Sequence, residues 1–186
     1  MHTNNILAIE SCFQKCSMCF YANNKKFFML EENSNIQTES LPIMFSSILE
    51  ESKTLSKQIS CVVVNVGPGS FTGIRIGIAF ALGIVTPLEI PLYAQSSNEI
   101  ASHLFESKQT AIRAIGNSYY LQTKEETLHV PKSQIPQNAY ILDDFSPVTA
   151  SIMIDLFLNS TPKEYTEPNY VRPVNAAIAQ PKIIKP

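Results

Sequence analysis

The chain opens on a strand–turn–strand pattern. Ile6-Leu-Ala-Ile9 is an apolar run, a short turn follows near Phe13 to Lys15, and Cys16 to Tyr21 is a second run. A third, Lys25 to Glu31, is reached through Asn23-Asn24, two residues that tolerate left-handed backbone. Together these predict a three-stranded meander. Glu32 to Thr38 is polar and reads as a loop. From Leu41 to about Lys57 the spacing becomes helical. At about 100° per residue, Leu41, Phe45, Ile48, Ser52 and Leu55 share one face, and Glu50, Glu51 and Lys53 lie away from it. Cys61-Val-Val-Val-Asn-Val66 is rich in β-branched residues, as a strand buried on both faces is. Gly67-Pro-Gly-Ser-Phe-Thr-Gly73 then leads into a helix that ends near Thr86-Pro87, because the residue before a proline leaves the helical region. Leu92 to Ala94 reads as a strand and Asn98 to Phe105 as a short helix.

The order β-β-β-α-β-α-β-α predicts an α/β fold whose first part is ribonuclease-H-like, a mixed sheet with helices on its faces. Beyond residue 106 the pattern weakens. Ala111 to Ile115 and Tyr119 to Thr123 can pair across Gly116-Asn117. Ser146-Pro147 has the cap-then-proline form of a helix start, and that helix runs to about Leu158. The last 25 residues are Pro-rich and read as extended. The expected division is a lobe at 1–103 and a shorter lobe with a tail at 104–186.

Composition narrows the function. The chain has 186 residues, 14 basic and 16 acidic, for a net charge of −2. A protein that binds nucleic acid by itself shows a basic excess, so this chain is a poor candidate. Residues 1–10 lack the cationic start of an export signal. The longest uncharged apolar stretch, Ile76 to Leu88, is interrupted by Pro87 and falls short of the roughly 18 to 20 residues of a spanning helix. The expectation is a cytoplasmic chain that does not engage the membrane, with its four cysteines reduced.

Three of those cysteines, Cys12-x3-Cys16-x2-Cys19, have the spacing that holds an iron–sulfur cluster in radical-SAM enzymes. The hairpin pattern weighs against it, since Cys16 and Cys19 on one strand point to opposite faces. No Gly-rich segment follows them, and the chain is short for the barrel such chemistry occupies. They read as buried, inert thiols, with no metal site.

The glycine-rich segment carries most of the information. A strand, a glycine-rich turn and a helix invite a phosphate-binding reading, but no Lys stands near, and the third position of Gly-x-Gly-x-x-Gly is Thr72. The helix is apolar on two faces. Phe71, Ile74, Ile78, Leu82 and Val85 form one stripe, expected to face the chain's own sheet. Gly73, Gly77 and Ala81 begin on the other side, with Ile76, Phe80 and Ile84 beside them and Arg75 as the only charge. Each interior Gly costs roughly 1 kcal/mol against Ala, so close approach of another backbone is expected there. Pattern alone leaves two occupants open: the chain's own C-terminal lobe or a partner helix. Ser70 and Thr72 read as helix caps rather than nucleophiles, and Glu10 as a strand-end cap rather than a metal ligand. His2, His103 and His129 form neither His-x3-His nor His-Glu-x-x-His.

Gly67-Pro-Gly-Ser-Phe-Thr-Gly-Ile-Arg-Ile-Gly77 closely resembles the signature of the TsaB (YeaZ) family, bacterial proteins needed to make threonylcarbamoyl-adenosine in tRNA. The opening strand Ile6–Glu10, Leu41-Pro42, Ile90-Pro91, Ser96-Ser97 and Pro168-Asn-Tyr-Val-Arg172 resemble other parts of that family. The resemblance implies an actin-like fold of the acetate-kinase/heat-shock-protein/actin type, two ribonuclease-H-like lobes with the second shortened. It implies a non-catalytic partner of TsaD, the subunit that transfers threonylcarbamoyl onto adenosine 37 of tRNAs reading codons that begin with A. TsaE, an ATPase, joins the complex, tRNA is met only through it, and a homodimer forms when TsaD is absent. Docking through the N-lobe helices makes Gly69, Phe71, Thr72, Gly73, Arg75, Ile76, Gly77, Phe80 and Ile84 the expected partner-binding residues, with no catalytic, cofactor or metal residues. Two departures support that. Glu10 stands where such folds usually carry Asp, and Arg113-Ala114-Ile115 stands where the family has Asp-Ala-Arg. The alternative is a small nucleotide-hydrolysing or kinase-like enzyme on the same fold.

Overall fold

The computed structural model describes residues 5–33, 36–105, 109–114, 116–123, 126–142 and 147–165. The expected meander is present: β1 (Asn5–Glu10), β2 (Cys16–Ala22) and β3 (Lys25–Glu31) pair antiparallel in order. Asn23 and Asn24 both have positive φ, 51° and 59°, the conformation of a two-residue hairpin turn. Helix α1 (Gln37–Ser52) begins four residues before Leu41 and stops five before Lys57. It stops because Lys53 turns left-handed and its N–H returns to the last turn. Leu55, assigned from spacing to the buried face, therefore lies beyond the helix and is 60% exposed. Leu41, Met44 and Ile48 bury the inner face instead.

Strand β4 (Cys61–Asn65) is buried at every residue. Helix α2 (Phe71–Leu88), strand β5 (Leu92–Gln95) and helix α3 (Ser97–Phe105) follow as expected within one to two residues. By length and composition α2 could span a membrane, at 18 residues and a mean hydropathy of 1.7. One face of it instead packs on the sheet through Ile74, Ile78, Ala81 and Val85.

With a last short strand, β10 (Lys163–Glu164), the first sheet has the order β10-β5-β4-β1-β2-β3, with β5, β4 and β1 parallel. Helices α1 and α2 lie side by side on one face, where Phe45 and Phe80 meet edge to face at 6.0 Å. The other face is covered by α4 (Ala150–Asn159), whose Met153, Ile154 and Phe157 join the same core. Its first N–H, from Ala150, donates to buried Ser17 Oγ at 2.9 Å, and Lys26 pairs with Asp155 at 2.6 Å.

The second sheet has the order β8-β7-β6-β9: β6 (Thr110–Arg113), β7 (Ser118–Gln122), β8 (Thr127–Pro131) and β9 (Tyr140–Leu142). The expected β6–β7 pairing is there, while β8 and β9 were not foreseen. Helix α4 starts at Ala150 with Thr149 as its cap position, later than Ser146-Pro147; Ser146 lies outside the described residues. After the second sheet the chain returns to the first, since α4 packs on it and β10 (Lys163–Glu164) pairs with β5. The first sheet thus draws on residues from both sides of the expected boundary at 103. The Pro-rich tail and Pro168–Arg172 lie outside the described residues.

Candidate functional site

The ends of β1 and β4 meet the start of α2, and the glycines explain how. The turn after β1 passes so close to α2 that any side chain would collide with it. A Cβ on Gly73 would overlap the Ser11 carbonyl oxygen, and one on Gly77 would overlap Ser11 Oγ. One on Gly69 would sit 2.5 Å from the Cys12 carbonyl oxygen. Two hydrogen bonds fasten the contact. Ser11 Oγ donates to Gly73 O at 2.8 Å, and Ser70 N–H donates to Cys12 O at 2.7 Å. Ser70 Oγ caps the helix by accepting from Gly73 N–H at 3.2 Å.

This corrects the assignment of α2's faces. What Gly73 and Gly77 admit belongs to this chain's own Ser11, its carbonyl at Gly73 and its hydroxyl at Gly77, so both glycines are interior residues and not a groove for a partner helix. Ile84 is buried with them. The stripe expected to face the sheet is split: Ile74, Ile78 and Val85 do, while Phe71 and Leu82 are each 40% exposed. Periodicity located two apolar faces but could not rank them, because the deciding contact comes from a turn 60 residues away in sequence.

The outer face of α2 therefore carries Phe71, Thr72, Arg75, Ala79, Leu82 and Gly83. Arg75 holds its guanidinium over the Phe71 ring, 5.3 Å from the centroid. Among the described residues no carboxylate pairs with it. A Cβ on Gly83 would meet nothing within 4 Å. Ile76 and Phe80 are half-buried on the flank towards α1, whose Ile43 is 66% exposed. Of the nine expected docking residues, Phe71, Thr72 and Arg75 are exposed, Gly69, Ile76 and Phe80 are half-buried, and Gly73, Gly77 and Ile84 are interior. Leu82, assigned from the wheel to the inner face, belongs to the outer one.

Behind the turn lies a row of buried polar groups, Ser17, Glu10, Asn65 and Gln95, set side by side by the strand register. Glu10 Oε1 accepts from Cys12 N–H at 2.7 Å and from Asn65 Nδ2 at 3.5 Å. Asn65 Oδ1 accepts from Gly67 N–H and Ser97 Oγ, both at 3.0 Å. Gln95 Nε2 donates to Met153 O. Burial pushes the Glu10 carboxyl up from 4.5 to about 8, against hydrogen bonds from Cys12, Asn65 and Phe13. A carboxyl enclosed in this way, with burial favouring its protonated form, is poorly placed to meet a metal–nucleotide. Arg113 ends β6 and is exposed.

All four cysteines are buried and unpaired. Cys16 lies opposite Glu31 and Cys19 opposite Phe28, three positions apart on one strand, so they face opposite sides of the sheet. Burial raises the thiols of Cys16, Cys19 and Cys61 to about 12. Among the described residues no three His, Cys, Asp or Glu side chains are grouped to hold a metal. A shallow cleft of about 530 Å³ opens elsewhere, beside Asn98, Glu99, His103 and Gln122.

The sequence and the fold both have counterparts among known proteins. A family model described as TsaD: tRNA N6-adenosine threonylcarbamoyltransferase matches residues 31–137, more than half of the chain. The tRNA threonylcarbamoyladenosine biosynthesis protein TsaB of Buchnera aphidicola from Acyrthosiphon pisum is 34% identical over 95 residues. That of Escherichia coli K12 is 33% identical over 92 residues. The chain belongs to the TsaB/YeaZ family. The matched segments cover 51% and 50% of this chain, and 43% and 40% of those two relatives. The chain thus spans less than half the length of the TsaB proteins it matches there. YeaZ from Pseudomonas aeruginosa superposes with a TM-score of 0.73 over 90% of this chain and 99% of that one, at 19% identity. A crystal structure of an uncharacterized protein with similarity to peptidase YEAZ from Pseudomonas aeruginosa gives 0.76 over 91% and 100%, at 18% identity. At such identities the likeness speaks for the fold alone.

Proposed function

We propose that this TsaB/YeaZ-family chain serves tRNA threonylcarbamoyladenosine biosynthesis as a non-catalytic docking subunit. In this reading the outer face of α1 and α2 binds a TsaD-type transferase, which carries out the attachment of threonylcarbamoyl to N6 of adenosine 37. A TsaE-type ATPase joins the assembly, tRNA is met only through it, and the work is cytoplasmic. The two sheets correspond to the ribonuclease-H-like lobes of an actin-type fold, the second one reduced.

The observation that carries the reading is the outer face of α2. It exposes Phe71 and Leu82, and its only cation, Arg75, stands over the Phe71 ring with no carboxylate paired to it among the described residues. Exposed apolar side chains on one helix face, with one arginine stacked among them, fit a protein interface. The enclosed, neutral Glu10 weighs against nucleotide chemistry at the strand ends. The test is genetic and chemical: in a cell lacking this gene, wild-type chain should restore threonylcarbamoyladenosine in hydrolysed tRNA, and Leu82→Glu should not. Full restoration by Leu82→Glu would remove the α2 face from the function.

A further inference from the structure

Among the described residues, strand β3 forms the outer edge of the first sheet. Its sequence, Lys25-Lys-Phe-Phe-Met-Leu-Glu31, is basic at one end, acidic at the other and apolar between. Phe28 and Leu30 are each 41% exposed on the α4 side of the sheet. An open edge of this length with apolar side chains is a template for another strand. We infer that β3 pairs with β3 of a second copy of this chain, antiparallel about a twofold axis through Phe28.

The register follows from geometry. In a two-residue hairpin the flanking residues, here Ala22 and Lys25, are a hydrogen-bonded pair. Odd-numbered residues of β3 therefore spend their backbone groups on β2, and the N–H and C=O of Lys26, Phe28 and Leu30 face the open edge. A twofold axis normal to the sheet keeps both copies' faces aligned, so opposing residues must have the same parity. Pairing about Phe28 sets Lys26 opposite Leu30 and Phe28 opposite its twin, so that all three outward residues of each copy are used. It also sets Phe27 opposite Met29 and Lys25 opposite Glu31, twice.

The charges select this register. Shifting the axis to Phe27 puts Lys25 opposite Met29; shifting it to Met29 puts Phe27 opposite Glu31. Only the Phe28 register matches base with acid at both ends, and the pairs fall at non-hydrogen-bonded positions, where opposing side chains come closest. Lys25 is exposed and has no partner among the described residues, whereas Lys26 is engaged by Asp155. Glu31 Oε1 accepts from Asn33 N–H and Nδ2 at 2.8 and 2.7 Å, which fixes its carboxylate at the strand end. The pairing leaves the outer α1/α2 face of both copies free and is independent of the docking reading.

The experiment uses the full chain carrying Leu82→Glu, which puts a charge on the α2 face and silences association there. Sedimentation equilibrium should show a monomer–dimer equilibrium below about 0.5 mM, a modest affinity on the usual scale. Amide exchange at Lys26, Phe28 and Leu30 should slow as concentration rises. Adding Lys25→Glu should weaken the dimer about tenfold, since two attractions become two repulsions. Adding Glu31→Lys to that variant should restore it. A monomer throughout this range, a dimer indifferent to Lys25→Glu, or failure of the double exchange to restore pairing would overturn the proposal; Lys25 and Glu31 would then serve to keep other strands away.

Discussion

Gly73→Ala tests whether the inner face of α2 is internal. On an isolated helix the change is favourable by about 1 kcal/mol, because Ala is the better helix former. Here the new methyl would overlap the Ser11 carbonyl oxygen, so the turn after β1 and the helix must separate. Overpacking of this kind costs about 1–3 kcal/mol. Separation also breaks Ser11 Oγ–Gly73 O and Ser70 N–Cys12 O, and a buried polar group left without its partner costs about 1–3 kcal/mol. The sum, after the propensity gain, is a net loss of about 1–5 kcal/mol. For a chain of this size that is roughly 2–20 °C in melting temperature. Gly83→Ala is the control, since a Cβ there meets nothing within 4 Å. It should raise stability by about 0.5–1 kcal/mol, or roughly 1–4 °C. Thermal melts of the two variants in parallel read the difference. If Gly73→Ala melts at or above wild type, the close approach of Ser11 is not real and the glycines are free for a partner.

Three further outcomes are expected. Glu10 favours its proton in the folded state, so its contribution to stability is full below the ordinary 4.5 and is lost as pH rises towards about 8; urea titrations should show this slope, and Glu10→Gln should flatten it, whereas an unchanged slope would contradict it. Ser17→Ala removes the acceptor for Ala150 N–H at the start of α4 and should cost about 1–3 kcal/mol; a neutral effect in urea melts would show that α4 is not anchored there. The four buried, high-pKa thiols should resist a disulfide reagent at pH 8 until urea is added; prompt reaction of all four in native buffer would refute their burial.

The first sheet was legible because its signals are local. Asn23-Asn24 supplies a turn, β4 is a run of β-branched residues, and Ser70 caps a helix three residues before Gly73. The second sheet was half-legible: β6 and β7 meet across Gly116-Asn117, but β8, with Leu128 and His129 exposed, has no clean alternation, and β9 is three residues long. The return of α4 and β10 to the first sheet was hidden, because contacts such as Ala150 with Ser17 span more than 130 residues and leave no local trace. The candidate face was found but assigned inside out. Glycine at every fourth position announces a close approach without saying whose backbone makes it.

Calorimetric titration reads whether α2 docks a TsaD-type partner with its outer face while its glycine face is folded inward. The full chain is titrated into the TsaD-type protein of the same cell, alongside Leu82→Glu and Gly83→Leu. Both substitutions lie on the exposed face and should leave the melting temperature near or above wild type. Each should weaken binding by at least about thirtyfold, the scale of an interface hot spot. Wild-type affinity in both variants would contradict the account.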